Sequence, residues 1–154
     1  MNTIESHIPV LEKLFQLYPI KTVLEFGMGF GSTPFFLNKG VRLISVEMQN
    51  KEWYDKVIDR HPASRTFEPI LSIGPMAYKT IQLDGWYDLI FIDGHGDSRW
   101  SVINDVFPHT DLIAVHDTQE DSYGWNKVKM PEGWSWFDVK EFPVWTAILT
   151  NKKS

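Results

Sequence analysis

Apolar positions recur along the chain with two periods, and the period switches several times. Val10, Leu11, Leu14, Phe15, Leu17 and Tyr18 follow the i, i+3/i+4, i+7 rule of a helix face, which predicts a helical segment over 1–19. Pro9 suits its first turn and Pro19 stops it. Residues 22–26 (TVLEF) then form a short apolar run that reads as a buried strand. After a glycine-rich turn, Ser32 or Thr33 can cap a helix with Pro34 at its first position, and Gly40 can end it. A second strand is predicted at 42–46. Asn50 can cap a helix carrying Trp53, Tyr54, Val57 and Ile58 on one face.

The alternation continues with strands at 66–71, 87–92 and 112–116. A short helix is predicted at 75–83 and a longer one at 98–107. Residues 117–133 lack periodicity and read as loop. Two last strands, 134–139 and 144–150, are separated by four residues including Pro143, which favours an antiparallel return at one edge. Strand–helix alternation with near-continuous apolar strands predicts an α/β fold with helices on both faces of a mostly parallel seven-stranded sheet. The terminal hairpin is its antiparallel addition. Ligands of such sheets bind beyond the carboxyl ends of the strands, so the residues just after each strand are the ones to read for chemistry.

Composition narrows the classes. The 154 residues fit one domain, with 1–19 as an N-terminal helical segment and 20–150 as its core. The absence of cysteine excludes a disulfide scaffold, a zinc ribbon and a thiol nucleophile. A net charge of −5 argues against a nucleic-acid backbone partner. No apolar run approaches a membrane span, and the start (MNTIESH) has neither a basic region nor an apolar one, so a soluble cytoplasmic protein is expected. Aromatic residues are abundant, so some are candidates for ligand walls rather than core.

The first strand runs into Glu25-Phe26-Gly27-Met28-Gly29-Phe30-Gly31-Ser32-Thr33. Glycines let the backbone turn tightly and approach a ligand, and the helix that follows offers free N–H groups to an anion. The spacing is Gly-x-Gly-x-Gly; the dinucleotide fingerprint would place glycine where Ser32 stands. Glu25 would repel a pyrophosphate and welcome an ammonium group. Glu47, after the second strand, can accept the protons of two ribose hydroxyls.

These motifs, with Tyr87-Asp88-Leu89-Ile90-Phe91-Ile92-Asp93-Gly94, resemble the class I S-adenosylmethionine-dependent methyltransferases. Ile92-Asp93-Gly94-His95 and Val115-His116-Asp117-Thr118 look most like their macrocin-type small-molecule O-methyltransferase branch. The resemblance implies a Rossmann-like methyltransferase fold with S-adenosylmethionine as cofactor. It puts Gly27, Gly29, Gly31 and Ser32 at the methionine moiety, Glu25 near its amino group and Glu47 on the ribose. The adenine is expected beside Ser72, Ile73 and Met48, with Trp100 covering its edge. Asp93 is expected in the site and His95 as general base, because imidazole titrates near working pH. In the related branch the histidine stands one residue further from the acid.

Asp93, His116 and Asp117 could hold a divalent metal, Mg²⁺ through hard oxygens or Mn²⁺, Fe²⁺ or Zn²⁺ given the imidazole. Tyr123, Trp125 and Asn126 are candidate substrate walls, since binding residues concentrate on loops. The expected reaction is methyl transfer to a hydroxyl or amine of a small molecule. Rival readings are a protein that binds S-adenosylmethionine without methyl transfer, a nicotinamide dehydrogenase, and a nucleic-acid or protein methyltransferase. Ser32 and Glu25 disfavour the dehydrogenase. The missing Asp/Asn-Pro-Pro-Tyr/Phe motif and the acidic charge disfavour nucleic acid. A chain this short leaves no substrate domain, so a second subunit of a homo-oligomer could close the site.

Overall fold

The structure is a computed structural model and describes residues 6–152; what the sequence predicts for 1–5 and 153–154 lies outside the described residues. Strands β1 (Thr22–Phe26), β2 (Arg42–Glu47), β3 (Phe67–Leu71), β4 (Leu89–Ile92), β5 (Leu112–His116), β6 (Ser135–Val139) and β7 (Thr146–Thr150) form one sheet in the order β3-β2-β1-β4-β5-β7-β6. β1 to β5 are parallel; β7 runs antiparallel to both β5 and β6. The strand order reverses between β1 and β4, so their loops diverge there and open the crevice at which such sheets bind ligands.

Helices α1 (Ile8–Leu17) and α2 (Ser32–Asn38) cover one face. Leu11, Leu14 and Phe36 pack there on Val23, Leu43, Leu89, Phe91 and Ala114. Helix α4 (Arg99–Val106) covers the other, where Val102, Ile103 and Val106 meet Leu24, Ile90, Ile92, Ile113 and Val115. Every residue of β4 and β5 is buried, as expected of central strands covered on both faces. Helix α3 (Lys51–Arg60) packs on β3. Its cap is the predicted one, with Asn50 Oδ1 accepting from Trp53 N at 3.1 Å. Among the described residues, no helix is long and apolar enough to cross a membrane.

Two local expectations fail for physical reasons. The helix predicted at 75–83 is a single 3₁₀ turn, Ala77–Thr80. Tyr78 alone of that turn is buried, and its hydroxyl is anchored 2.7 Å from both Ser101 Oγ and Asp105 Oδ2, so no longer apolar face is needed. At α2 neither Ser32 nor Thr33 caps the helix. Gly31 is the cap, Pro34 lies inside the first turn, and both hydroxyls turn inward.

Candidate active site

The inward turn of those hydroxyls has a cause. The Glu25 side chain faces the α1–α2 side of the sheet and is completely buried. A carboxylate there needs partners. It accepts from Ser32 Oγ at 2.5 Å, Thr33 Oγ1 at 2.7 Å and Ser45 Oγ at 2.6 Å. Burial pushes its pKa up to about 7, and the three hydroxyl donors only partly oppose this. Thr33 Oγ1 also accepts from Gly29 N at 2.9 Å, so Glu25 fixes the glycine loop through the residues that open α2. From above, Trp53 Nε1 donates to Met28 O at 2.8 Å and its ring packs edge-on against Phe30.

Gly27 has φ +89°, and a Cβ there would lie 2.1 Å from Asp93 O. A Cβ on Gly94 would lie 2.6 Å from Met48 Sδ. The loops after β1 and β4 thus cross in contact, and at Gly27 the crossing requires glycine, whereas at Gly94 a Cβ would have to displace the Met48 thioether. Gly29 differs, because a Cβ there would meet nothing closer than 3.8 Å. Glu47, at the end of β2, accepts from Gln49 N and Asn50 N at 3.2 and 3.0 Å. Burial raises its pKa, against those backbone donors.

On the β4–β5 side, Asp93 Oδ1 lies 3.2 Å from His116 Nδ1 and 3.3 Å from Arg99 Nη2. Burial pushes the Asp93 carboxyl up, but the His116 hydrogen bond and the charges of His116 and Arg99 outweigh it and hold the group below its ordinary 3.8. Arg99 is 6% exposed and ties the two loops together. It donates to Gly94 O at 3.2 and 3.1 Å and to His116 O. The Tyr123 ring stacks on its guanidinium at 4.7 Å. From the N-terminal segment, Ser6 Oγ lies 3.3 Å from His116 Nε2, and the His7 ring stands edge-on to His116 at 4.6 Å. Burial, reinforced by His116, lowers the His7 pKa to about 4 against the pull of Asp93.

No protein-family model matches the chain, and no curated protein matches it. Solved structures do match. An O-methyltransferase from Bacillus cereus in complex with SAH is 15% identical, with 92% of this chain and 79% of that one covered at a TM-score of 0.67. The SAH-bound methyltransferase PaMTH1 of Podospora anserina is 14% identical, with 86% and 72% covered at 0.64. A methyltransferase from Pyrococcus furiosus is 15% identical, with 92% and 81% covered at 0.57. The chain has the class I methyltransferase fold.

In that fold Gly27, Gly29, Gly31, Glu47, Ser72, Ile73 and Asp93 all follow the carboxyl ends of β1 to β4 or close those strands. Ser72 N donates to Glu47 O at 2.9 Å, and Ile73 is 49% exposed beside it. Other expected site residues stand elsewhere. Met48 has no exposed surface and packs beneath Gly94, so it offers no face to an adenine. Trp100, on α4, packs against the 121–127 loop, on Gly124 and under Lys127 Nζ, 5.1 Å from its ring. His95 Nδ1 accepts from Asp97 N at 3.3 Å. That contact lies within its own 3₁₀ turn, where His95 is the cap. Asp117 stays out of the Asp93–His116 group: its backbone has φ +71° and its carboxylate takes Gln119 Nε2. His7 stands in that third place.

Sequence reasoning missed His7, Arg99, Ser45 and Thr33. Ser45 pairs in register with Glu25 and is the polar residue inside an apolar strand, which marks it as a partner. Arg99 opens a helix, where the dipole disfavours a cation, so it had to be held by something else. Nothing local marks His7.

Proposed function

We propose that the protein transfers the methyl group of S-adenosylmethionine to a hydroxyl, or an amine, of a small molecule. The observation that carries this reading is the glycine loop. Gly27 is pressed onto the β4 loop, Gly29 has open space beside it, and Glu47 stands at the end of the next strand. This loop occupies the switch point of a methyltransferase fold. The donor's methionine end lies along Gly27–Gly31 and its ribose on Glu47. Its adenine lies against Ser72 and Ile73. Glu25 acts as a positioning residue, ordering Ser32, Thr33 and through them Gly29. Asp93 sits on the acceptor side, ionised at neutral pH and 27% exposed, and orients the acceptor.

The sulfonium brings its own leaving group, so the protein has to align nucleophile, methyl carbon and sulfur and exclude water. The strand-end pairs Asp93-Gly94 and His116-Asp117 support the macrocin-type small-molecule branch.

Binding of S-adenosylhomocysteine tests the reading. At about 100 times its Kd a ligand adds about 2.7 kcal/mol of stability, a rise of roughly 5–10 °C in melting temperature for a domain of this size. Gly29→Ala is expected to abolish that rise, because its methyl group fills the ligand's space, while leaving the unliganded melting temperature within about 2 °C. A rise with NAD and none with S-adenosylhomocysteine would overturn the reading. Tight binding with no methylated product across hydroxyl and amine acceptors would leave a binding protein without transfer activity.

A further inference from the structure

His7 poses a problem that the donor site does not solve. Its side chain is 3% exposed, yet neither ring nitrogen has a hydrogen-bond partner among the described residues. A buried imidazole without partners costs stability unless something absent from the protein alone satisfies it. His7 stands beside one carboxylate and a second imidazole. One ligand atom each from His7, Asp93 and His116 lie within 4.8 Å of one another.

We propose that His7, Asp93 and His116 bind a single divalent transition-metal ion, of the series from Mn²⁺ to Zn²⁺. Metal bonds of about 2.0–2.2 Å set neighbouring ligand atoms about 3–4 Å apart, so a group whose ligand atoms lie within 4.8 Å of one another needs to contract by at most about 1–2 Å. Two imidazoles and one carboxylate select borderline ions over Mg²⁺ and Ca²⁺, which require several oxygen ligands. Arg99 sharpens the choice. Its charge offsets that of Asp93, so long-range attraction for a hard cation is weak and the nitrogen bonds carry the affinity. Three protein ligands leave positions open. They lie on the acceptor side of the proposed donor site, so the ion would meet an acceptor oxygen; that last step rests on the methyl-transfer reading, whereas metal binding does not.

The test uses the whole chain, stripped with a chelator and titrated with Co²⁺, without donor or acceptor. Expected is one equivalent bound with visible d–d absorption, undisturbed by about 1 mM Mg²⁺. His7→Gln should weaken binding at least about 100-fold, and His61→Ala should leave it unchanged. Circular dichroism and a thermal melt show whether His7→Gln is folded. Should it not be, His116→Gln decides by the same criterion. Absence of the band, retention of wild-type affinity in the folded His7 or His116 variant, or loss of binding in His61→Ala would overturn the proposal. Failure here with a retained S-adenosylhomocysteine shift would leave the methyl-transfer reading standing.

Discussion

The two halves of the strand-end surface solve the same problem differently. Around β1 and β2, the buried acid Glu25 is satisfied by three hydroxyls, two of them seven and eight residues away in the chain. Around β4 and β5, the acid Asp93 is satisfied by a buried guanidinium and an imidazole, and the neighbouring His7 by nothing among the described residues. The first half is closed on itself: its polar groups hold the glycine loop in shape. Among the described residues, the second half retains unmet bonding capacity. A saturated network builds a rigid cradle; the proposed metal would complete the unsaturated one.

The halves meet at Gly27, where the comparison is broken most severely. Gly27→Ala forces a left-handed φ on an L-residue and drives its Cβ to 2.1 Å from a backbone oxygen that cannot step aside. A loss of more than about 5 kcal/mol is expected, enough to leave the chain largely unfolded at 25 °C. Soluble yield and far-UV circular dichroism read it. A folded, stable Gly27→Ala would mean that the two loops do not press on each other.

The second largest effect belongs to the β4–β5 half alone. Arg99→Ala removes the cation from a buried pair and strands the carbonyls of Gly94 and His116, a cost of about 4 kcal/mol. Urea unfolding measures it, with Arg65→Ala, an exposed residue, as the reference within about 0.5 kcal/mol. Equal midpoints for the two variants would show that the loops hold together without the guanidinium.

The same contrast explains what was legible in the sequence. All seven strands and their order of type could be read because each is a continuous apolar run between turn residues, a local signal. The glycine loop, Glu25 and Glu47 were legible for the same reason: they stand within a few residues of a strand end. The β4–β5 half is assembled from positions 6, 7, 93, 99 and 116. Long-range contact of that kind leaves no periodicity. Asp117 is the natural third ligand by sequence because it neighbours His116 in the chain, but the backbone turn at φ +71° carries it away. Met48 was misplaced for a related reason. Adjacency to Glu47 puts it beside the expected adenine, but side chains alternate across a strand end, so it faces the opposite side and the core.

The finest test uses pH, because the two halves oppose each other there. Glu25 is raised from 4.5 to about 7, so between those values the folded protein holds a proton that the unfolded chain has lost. Its contribution is full below about pH 4.5 and is lost as pH rises to about 7, in total about 3 kcal/mol. Glu47, also raised, acts in the same direction. His7 is lowered from 6.5 to about 4, so between those values it is the unfolded chain that holds the extra proton. Its contribution therefore rises with pH across that window by a similar amount. In metal-free buffer the two slopes largely cancel, and the wild-type protein should show a flat stability profile from about pH 4.5 to 6.5. Removing either group unmasks the other. Glu25→Gln should become more stable with rising pH, and His7→Gln less stable, each by about 3 kcal/mol across its window. Urea unfolding of the three proteins at half-unit pH steps reads this directly. Parallel profiles would mean that the two groups are not buried as unlike partners of one surface; diverging ones, with opposite signs, assign the closed network to one half and the open one to the other.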